Sequence, residues 1–274
     1  MPKKPALPSE SRRIRILEQI RRSPDGVVSI SQLSQALSVS EMTIRRDLDW
    51  LAERRILARV HGGAVAYPGA PSEPAFGDRL NDFNPQKQAI GWAAAQLVKD
   101  GERIILDAGT TTRHVARNLA VRQGLTILTN NLVITQELAE LPEFSTILLG
   151  GQLKHRELCT VGEMVKDSLR NFAVDRCFLS ASGFDLQGAY DPDLREVEVK
   201  RAMLQAARQV ILVADSSKFG LTALVRIAPL ASFHQLVTDD NLPADAQSAL
   251  EAMGLEVITP ARVAAKIVAT ETQA

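Results

Sequence analysis

Between residues 87 and 260 the chain repeats one plan: a short, continuously apolar run, a small or polar corner, then a stretch of helical periodicity. "RIILDAGTTTRHVARNLA" and "LTILTNNLVITQELAEL" show it most plainly, and "STILLGG", "DRCFLSASGFD", "VILVADSSKFG", "HQLVTDD" and "LEVIT" supply further apolar runs. A strand with one wet face alternates apolar and polar residues, whereas an unbroken apolar run fits a strand covered on both faces. Such runs alternating with helices constrain the chain to an α/β fold, a parallel sheet with helices on both faces.

Six of the runs end in "DAGTTT", "TNN", "GGQL", "SASGFD", "ADSSKF" and "TDD". In an open α/β sheet, ligands bind in the crevice beyond the carboxyl ends of the strands. Gly109, Thr110, Thr111 and Thr112 lead straight into a helix, so backbone N–H groups and three hydroxyls offer a site for a phosphate or carboxylate. Lys218 adds positive charge from another strand end, and Asp107 and Asp185 are candidates to hold sugar hydroxyls. The plainer alternative is capping threonines, turn glycines and a surface lysine. Neither GxGxxG nor GxxxxGK[ST] occurs, so a dinucleotide or ATP is not indicated and no cofactor is expected.

The first 66 residues differ in charge. They carry 12 Lys+Arg against 7 Asp+Glu, a balance of +5, which the remaining residues cancel to leave a net charge of zero. A basic small domain beside an acidic larger one points to a polyanion partner for the first alone. "SRRIRILEQIRR" places Ile16, Leu17 and Ile20 on one helical face, "SQLSQAL" makes a short second helix, and "VS" makes a corner. Ser40 then caps a third helix. At about 100° per residue, Ile44, Leu48 and Leu51 of that helix form a buried stripe, with Met42 and Arg46 opposite and Thr43 and Arg45 flanking.

This is the layout of a helix-turn-helix, whose second helix sets its N-terminal residues against base edges in the major groove. Arginine pairs with guanine or neutralises phosphate, and Ser40 and Thr43 are within reach of either. "RRILARVHGGAVAY" reads as a β-hairpin wing that would bring Arg54, Arg55, Arg59 and His61 near the DNA backbone. The competing reading is a solvated amphipathic helix with Asp47 or Asp49 paired to an arginine. Trp50 falls outside the stripe and is expected against the linker or a partner subunit.

"YPGAPSEPAFGDRLNDFNPQ" is rich in proline and reads as an extended linker. The expected organisation is a winged helix-turn-helix at 1–66, a linker at 67–86, a ligand-binding α/β domain at 87–260 and a tail at 261–274. No apolar run is long enough to span a bilayer, and the N-terminus lacks the apolar stretch of a signal peptide. With two cysteines and no disulfide framework, a cytoplasmic setting is expected, without membrane or metal partners. Cys177 is read as a core residue and Cys159 as part of a polar loop.

"VSISQLSQALSVSEMTIRRDLDWLAERRILARVHGGA" resembles the winged-helix signature of the DeoR family of bacterial transcriptional regulators, departing from it where Arg55 replaces the usual glycine. "ILDAGTTT", "LTNN", "LLGGQL", "SASGFD", "EVEVKRAM" and "ADSSKFG" resemble the effector-binding domain of the same family. That domain is similar in fold to ribose-5-phosphate isomerase and the CoA transferases, a Rossmann-like parallel sheet. The resemblance implies a regulator, most often a repressor in this family, that binds double-stranded operator DNA as a homo-oligomer and responds to a phosphorylated sugar or related metabolite. It implies Gly109, Thr110, Thr111 and Thr112 as the phosphate loop, and Asn130, Asn131, Gly151, Asp185 and Lys218 as pocket residues. Arg195, Tyr190 and Arg156 are further candidates. Glu196 and Lys200 match a family helix motif, and their spacing also suits an i, i+4 ion pair. Two rivals stand beside this reading: a sugar-phosphate-converting enzyme with a basic accessory domain, and an adaptor whose head contacts protein.

Overall fold

The computed structural model describes residues 9–23, 27–53, 57–60, 62–66, 76–79 and 84–271. The chain divides into two compact units, Met1–Pro74 and Ala75–Ala274.

In the first unit, α1 (Ser9–Arg22), β1 (Val27–Ser29), α2 (Ile30–Leu37), α3 (Glu41–Glu53), β2 (Leu57–Val60) and β3 (Gly63–Ala66) follow in order. Ser29 starts α2 by a reciprocal cap: its hydroxyl accepts from the Gln32 N–H, and the Gln32 side chain accepts from the Ser29 N–H. The helix stops at Ser38, which turns left-handed at φ 52°. Ile16, Ile20, Leu33, Ile44, Leu48, Leu51 and Leu57 form one buried core. The wing strands β2 and β3 pair antiparallel, and β1 adds to β3. A β-carbon at Gly63 would lie 2.3 Å from the Val28 carbonyl oxygen, so the β1–β3 crossing requires glycine there.

The second unit opens with helices α4 (Phe76–Arg79) and α5 (Asn84–Gln96), then β4 (Arg103–Leu106), α6 (Thr110–Arg117), β5 (Thr126–Thr129), α7 (Leu132–Leu138) and β6 (Ser145–Leu148). A hairpin of β7 (Gln152–Lys154) and β8 (Cys159–Val161) precedes α8 (Glu163–Leu169) and β9 (Val174–Leu179). Next come β10 (Gly183–Asp185), β11 (Gly188–Asp191), α9 (Leu194–Ala206), β12 (Ala207–Val213) and β13 (Val225–Pro229). The unit closes with β14 (Gln235–Val237), α10 (Ala244–Ala252), β15 (Glu256–Ile258) and α11 (Pro260–Glu271).

Seven strands form one parallel sheet in the order β15-β14-β12-β9-β4-β5-β6. Side chains alternate between two cores. Ile104, Leu106, Ile211 and Val213 join residues of α5, α6, α7 and α11, while Ile105, Leu128, Val210 and Leu212 join residues of α8, α9 and α10. Burial on both faces explains the unbroken apolar runs. From β4 the chain steps outward through β5 to β6, then returns to β9 on the other side of β4 and steps outward to β15. The strand order therefore reverses between β4 and β9, the switch point where open α/β sheets bind ligands.

Several expectations require correction. The stretch 67–86, read as extended linker, contains α4 and the start of α5, because Phe76 is fully buried in the second unit. Residues 261–271, read as tail, continue helix α11, whose Val263 is buried against the sheet's helices. Cys159 lies in strand β8 and is fully buried, with burial pushing its thiol up. Trp50 packs within its own unit, under the Arg13 guanidinium at 4.0 Å from the ring centre.

Candidate functional site

Helix α3 is anchored on one side and open on the other. Ser40 caps it: its hydroxyl accepts from the Thr43 N–H at 3.2 Å, and the Ser40 and Thr43 hydroxyls lie 2.8 Å apart. Ile44, Leu48 and Leu51 are buried as the wheel requires, and Met42, Arg45 and Arg46 face outward, Met42 at 59% exposure. Arg45 sits 3.7 Å from Glu41 in an exposed i, i+4 pair, too weak to hold it from a phosphate. Among the described residues Arg46 has no hydrogen bond or ion pair.

The orientation of α3 is set by a buried carboxylate. Asp47 is 2% exposed and accepts from Arg12 Nε at 2.5 Å and Arg13 Nε at 2.9 Å. On the wheel Asp47 lies only about 60° from Ile44, a signal that could have placed it inside. Arg59 of the wing donates to Asp49 at 2.5 Å and to the Arg45 carbonyl at 3.3 Å. It ties the wing to α3, with its charge matched by Asp49. Arg54, Arg55 and His61 lie outside the described residues.

At the switch point of the larger unit, charged groups crowd into the sheet's carboxyl edge. Asp107 follows β4 and Ser180 follows β9. Asp107 Oδ2 accepts from the Ser180 N–H (3.0 Å), the Ser180 hydroxyl (2.7 Å) and Lys200 Nζ (2.9 Å). Lys200 also donates to the Ser180 carbonyl and pairs with Asp191 at 2.9 Å. Burial alone would lower the Lys200 ammonium; Asp107, Asp191 and Glu196 outweigh it and raise it. Glu196 and Lys200 do not form the expected helical ion pair. Glu196 bonds Lys154, which also lies 3.0 Å from Asp193. Burial, and then Asp191, push the Glu196 carboxyl up to about 7 against the pull of Lys200 and Lys154.

Among the described residues, the buried and unused oxygens at this edge include Asp215 Oδ2 and Thr238 Oγ1, past β12 and β14, and two acceptors beside the switch point. Asp107 Oδ1 and Asn130 Oδ1 have no hydrogen-bond partner among the described residues, and they follow the paired positions Leu106 and Thr129 of neighbouring strands. A buried polar atom without a partner costs free energy unless something else satisfies it. Between them in sequence, Gly109 and the three threonines begin α6, all three threonines buried. Thr112 donates to the carbonyls of Asp107 and Gly109, bracing the loop. A β-carbon at Gly109 would lie 2.4 Å from the Ser180 hydroxyl, so strand β9 approaches the loop too closely for a side chain.

The other candidates are differently engaged. Asn131 caps α7, accepting from the Val133 and Ile134 N–H groups. A side chain at Gly151 would strike Val165. Asp185 closes the β10–β11 turn, accepting from the Gln187 and Gly188 N–H groups and the Tyr190 hydroxyl. Lys218 donates to the Ala181 carbonyl at 2.5 Å, beside the switch point. Arg195 pairs with Asp193. Asp191 and Lys154 escaped the candidate set, and Lys200 entered only through its helix motif, because their partners lie 9 to 93 positions away, beyond the i, i+4 spacing of a helix.

A winged reading helix and a strand-end crevice carried on one chain define a ligand-responsive transcriptional regulator. The DeoR-like helix-turn-helix domain matches residues 12–68, and the DeoR C terminal sensor domain matches residues 83–240. The uncharacterized HTH-type transcriptional regulator YgbI of Escherichia coli is 38% identical over 92% of this chain and 98% of its own length. The glycerol-3-phosphate regulon repressor of Escherichia coli is 35% identical over 86% of this chain and 92% of its own. A ribose 5-phosphate isomerase from Methanocaldococcus jannaschii shows a weak structural likeness, with a TM-score of 0.37 at 17% identity over 50% of this chain and 54% of that one. The chain belongs to the DeoR family of transcriptional regulators, DNA-binding proteins rather than enzymes. No helix among the described residues is long and apolar enough to cross a membrane.

Proposed function

We propose that the chain is a cytoplasmic, homo-oligomeric repressor of carbohydrate-metabolism genes, and that a phosphorylated sugar or related metabolite alters its hold on operator DNA. The observation that carries the DNA half is the α3 face, where Met42, Arg45 and Arg46 stand exposed on a helix whose back is fixed by a buried stripe and the Asp47 clamp. Met42 and Arg46 read base edges; Arg45, Ser40 and Thr43 hold phosphate. Two heads on B-DNA would read half-sites about 34–36 Å apart, or a multiple of that. The sensing half follows from the strand-end chemistry. The Gly109–Thr112 loop and Lys218 receive the phosphate, and the unused oxygens of Asp107 and Asn130 accept from hydroxyls of the effector. The name of the glycerol-3-phosphate relative supports an effector of this kind.

The test is a titration of the full chain against the DNA upstream of its own gene at several salt concentrations. Arg46→Ala is expected to lose about 1–3 kcal/mol of discrimination between specific and random duplex. Arg45→Ala is expected to weaken both equally and flatten the salt slope by roughly 1. Arg59→Ala should change the slope less, since Asp49 already offsets that charge. Unaltered binding in both Arg45→Ala and Arg46→Ala would refute the assigned face.

A further inference from the structure

The turn between β7 and β8 touches the crevice on one side and α4, at the start of the second unit, on the other. Lys154, at the end of β7, bonds Asp193 and Glu196, and Glu196 sits in the field of Asp191 and Lys200. At the start of β8, Thr160 and Asn130 exchange hydrogen bonds: the Thr160 N–H donates to the Asn130 carbonyl, and Asn130 Nδ2 donates to the Thr160 carbonyl, both at 2.8 Å. Both ends of the turn are thus fastened to crevice groups.

The middle of the turn holds α4, the first helix after the division at Pro74. The Phe76 N–H donates to the Arg156 carbonyl at 2.9 Å, and Arg79 forms a mostly buried ion pair with Glu157. The Glu157 N–H in turn donates to the Lys154 carbonyl at 3.2 Å, and Asn131 Nδ2 donates to the Glu157 carbonyl at 3.4 Å. Residue 158 supplies a separate observation. Leu158 is left-handed at φ 50°, a setting shared among described non-glycine residues only with Ser38. A leucine there crowds its own β-carbon against the carbonyl, and such strain persists only where the surroundings enforce it, often at switch regions.

We propose that residues 154–158 relay occupancy of the crevice to α4, with Glu157 and Arg79 as the positioning pair. The proposal rests on the sensor reading above. A ligand that satisfies Asp107 or displaces the charge around Glu196 changes what Lys154 is held by. Lys154 and Glu157 share a hydrogen bond, so the turn moves as one piece, and the strained Leu158 gives it a second backbone setting. Arg79 and Phe76, and so α4, follow.

The experiment is fluorescence anisotropy of the full chain on its upstream duplex, with and without glycerol 3-phosphate or a hexose 6-phosphate. The readout is the ratio of the two dissociation constants, expected to lie about 5- to 150-fold from unity in the wild-type chain. In Glu157→Gln and in Arg79→Gln the ratio is expected to fall to within roughly twofold of unity, while calorimetry still registers the sugar phosphate. The swapped pair Arg79→Glu with Glu157→Arg should recover the ratio. A pair that merely braces the fold would lower Tm and leave the ratio intact. Leu158→Gly should alter the ratio without lowering Tm, and it carries the test if the charge variants do not fold. A wild-type ratio in Glu157→Gln, or in Leu158→Gly, overturns the relay. A ratio of one in the wild-type chain with every probe overturns the sensor reading, and the relay with it.

Discussion

At Glu196 and His114, burial makes opposite demands on two ionisable groups. Glu196 stands at about 7 in the folded chain against an ordinary 4.5, so the folded state keeps a proton that the unfolded state releases. Its contribution to stability is present below pH 4.5 and is lost as pH rises through 7. His114 is pushed down from 6.5 to about 4, by burial first and then by Arg113, Arg117 and Lys87. The unfolded chain protonates first, so this contribution is present above pH 6.5 and is lost as pH falls through 4. The two slopes offset each other between pH 4.5 and 6.5. Each shift corresponds to about 3 kcal/mol over its range. Relative to the wild-type chain, Glu196→Gln is expected to gain stability as pH rises from 4.5 to 7, and His114→Gln to gain it as pH falls from 6.5 to 4. Urea midpoints across this range check both, and variants that run parallel to the wild-type curve would contradict the assignments.

Among the elements, the Gly109 loop is tightly confined, following β4 and pressed against Ser180 at the end of β9. Gly109→Ala would drive a methyl into Ser180 and pull that hydroxyl from Asp107. The expected cost is about 1–3 kcal/mol, together with a lost response to sugar phosphate; calorimetry and melting curves measure the two separately. This loop was legible in the sequence, as were the continuous strands, since an unbroken apolar run ending in "DAGTTT" carries both its burial and its corner. The Ser40 cap and the outward face of α3 were legible too, from helical spacing alone. Strands β10, β11 and β13 were not, because three to five residues in a small antiparallel sheet are too short to establish a period. The Lys200 cluster was hidden because a helical lysine normally points to water, and only the tertiary fold supplies Asp107 and Asp191 around it. Asp185 and Asn131 look like ligand groups in sequence, but the local backbone takes up their hydrogen-bonding capacity first.

For the molecule as a whole, a first unit with 12 Lys+Arg against 8 Asp+Glu, a balance of +4, is joined to a second with 20 against 24, a balance of −4. Electrostatics brings the first to DNA, and at the sheet's carboxyl edge in the second, Asp107 Oδ1 and Asn130 Oδ1 are buried without a partner among the described residues. An effector can shift DNA affinity only as far as it binds one arrangement of the chain better than the other. The most direct measurement is the dissociation constant of the full wild-type chain for its upstream duplex, taken across a series of sugar phosphates at fixed salt. The account predicts that at least one of them moves the constant by about 5-fold or more, while the corresponding unphosphorylated sugar does not. A constant unchanged by every sugar phosphate, at concentrations that saturate the crevice by calorimetry, would contradict it.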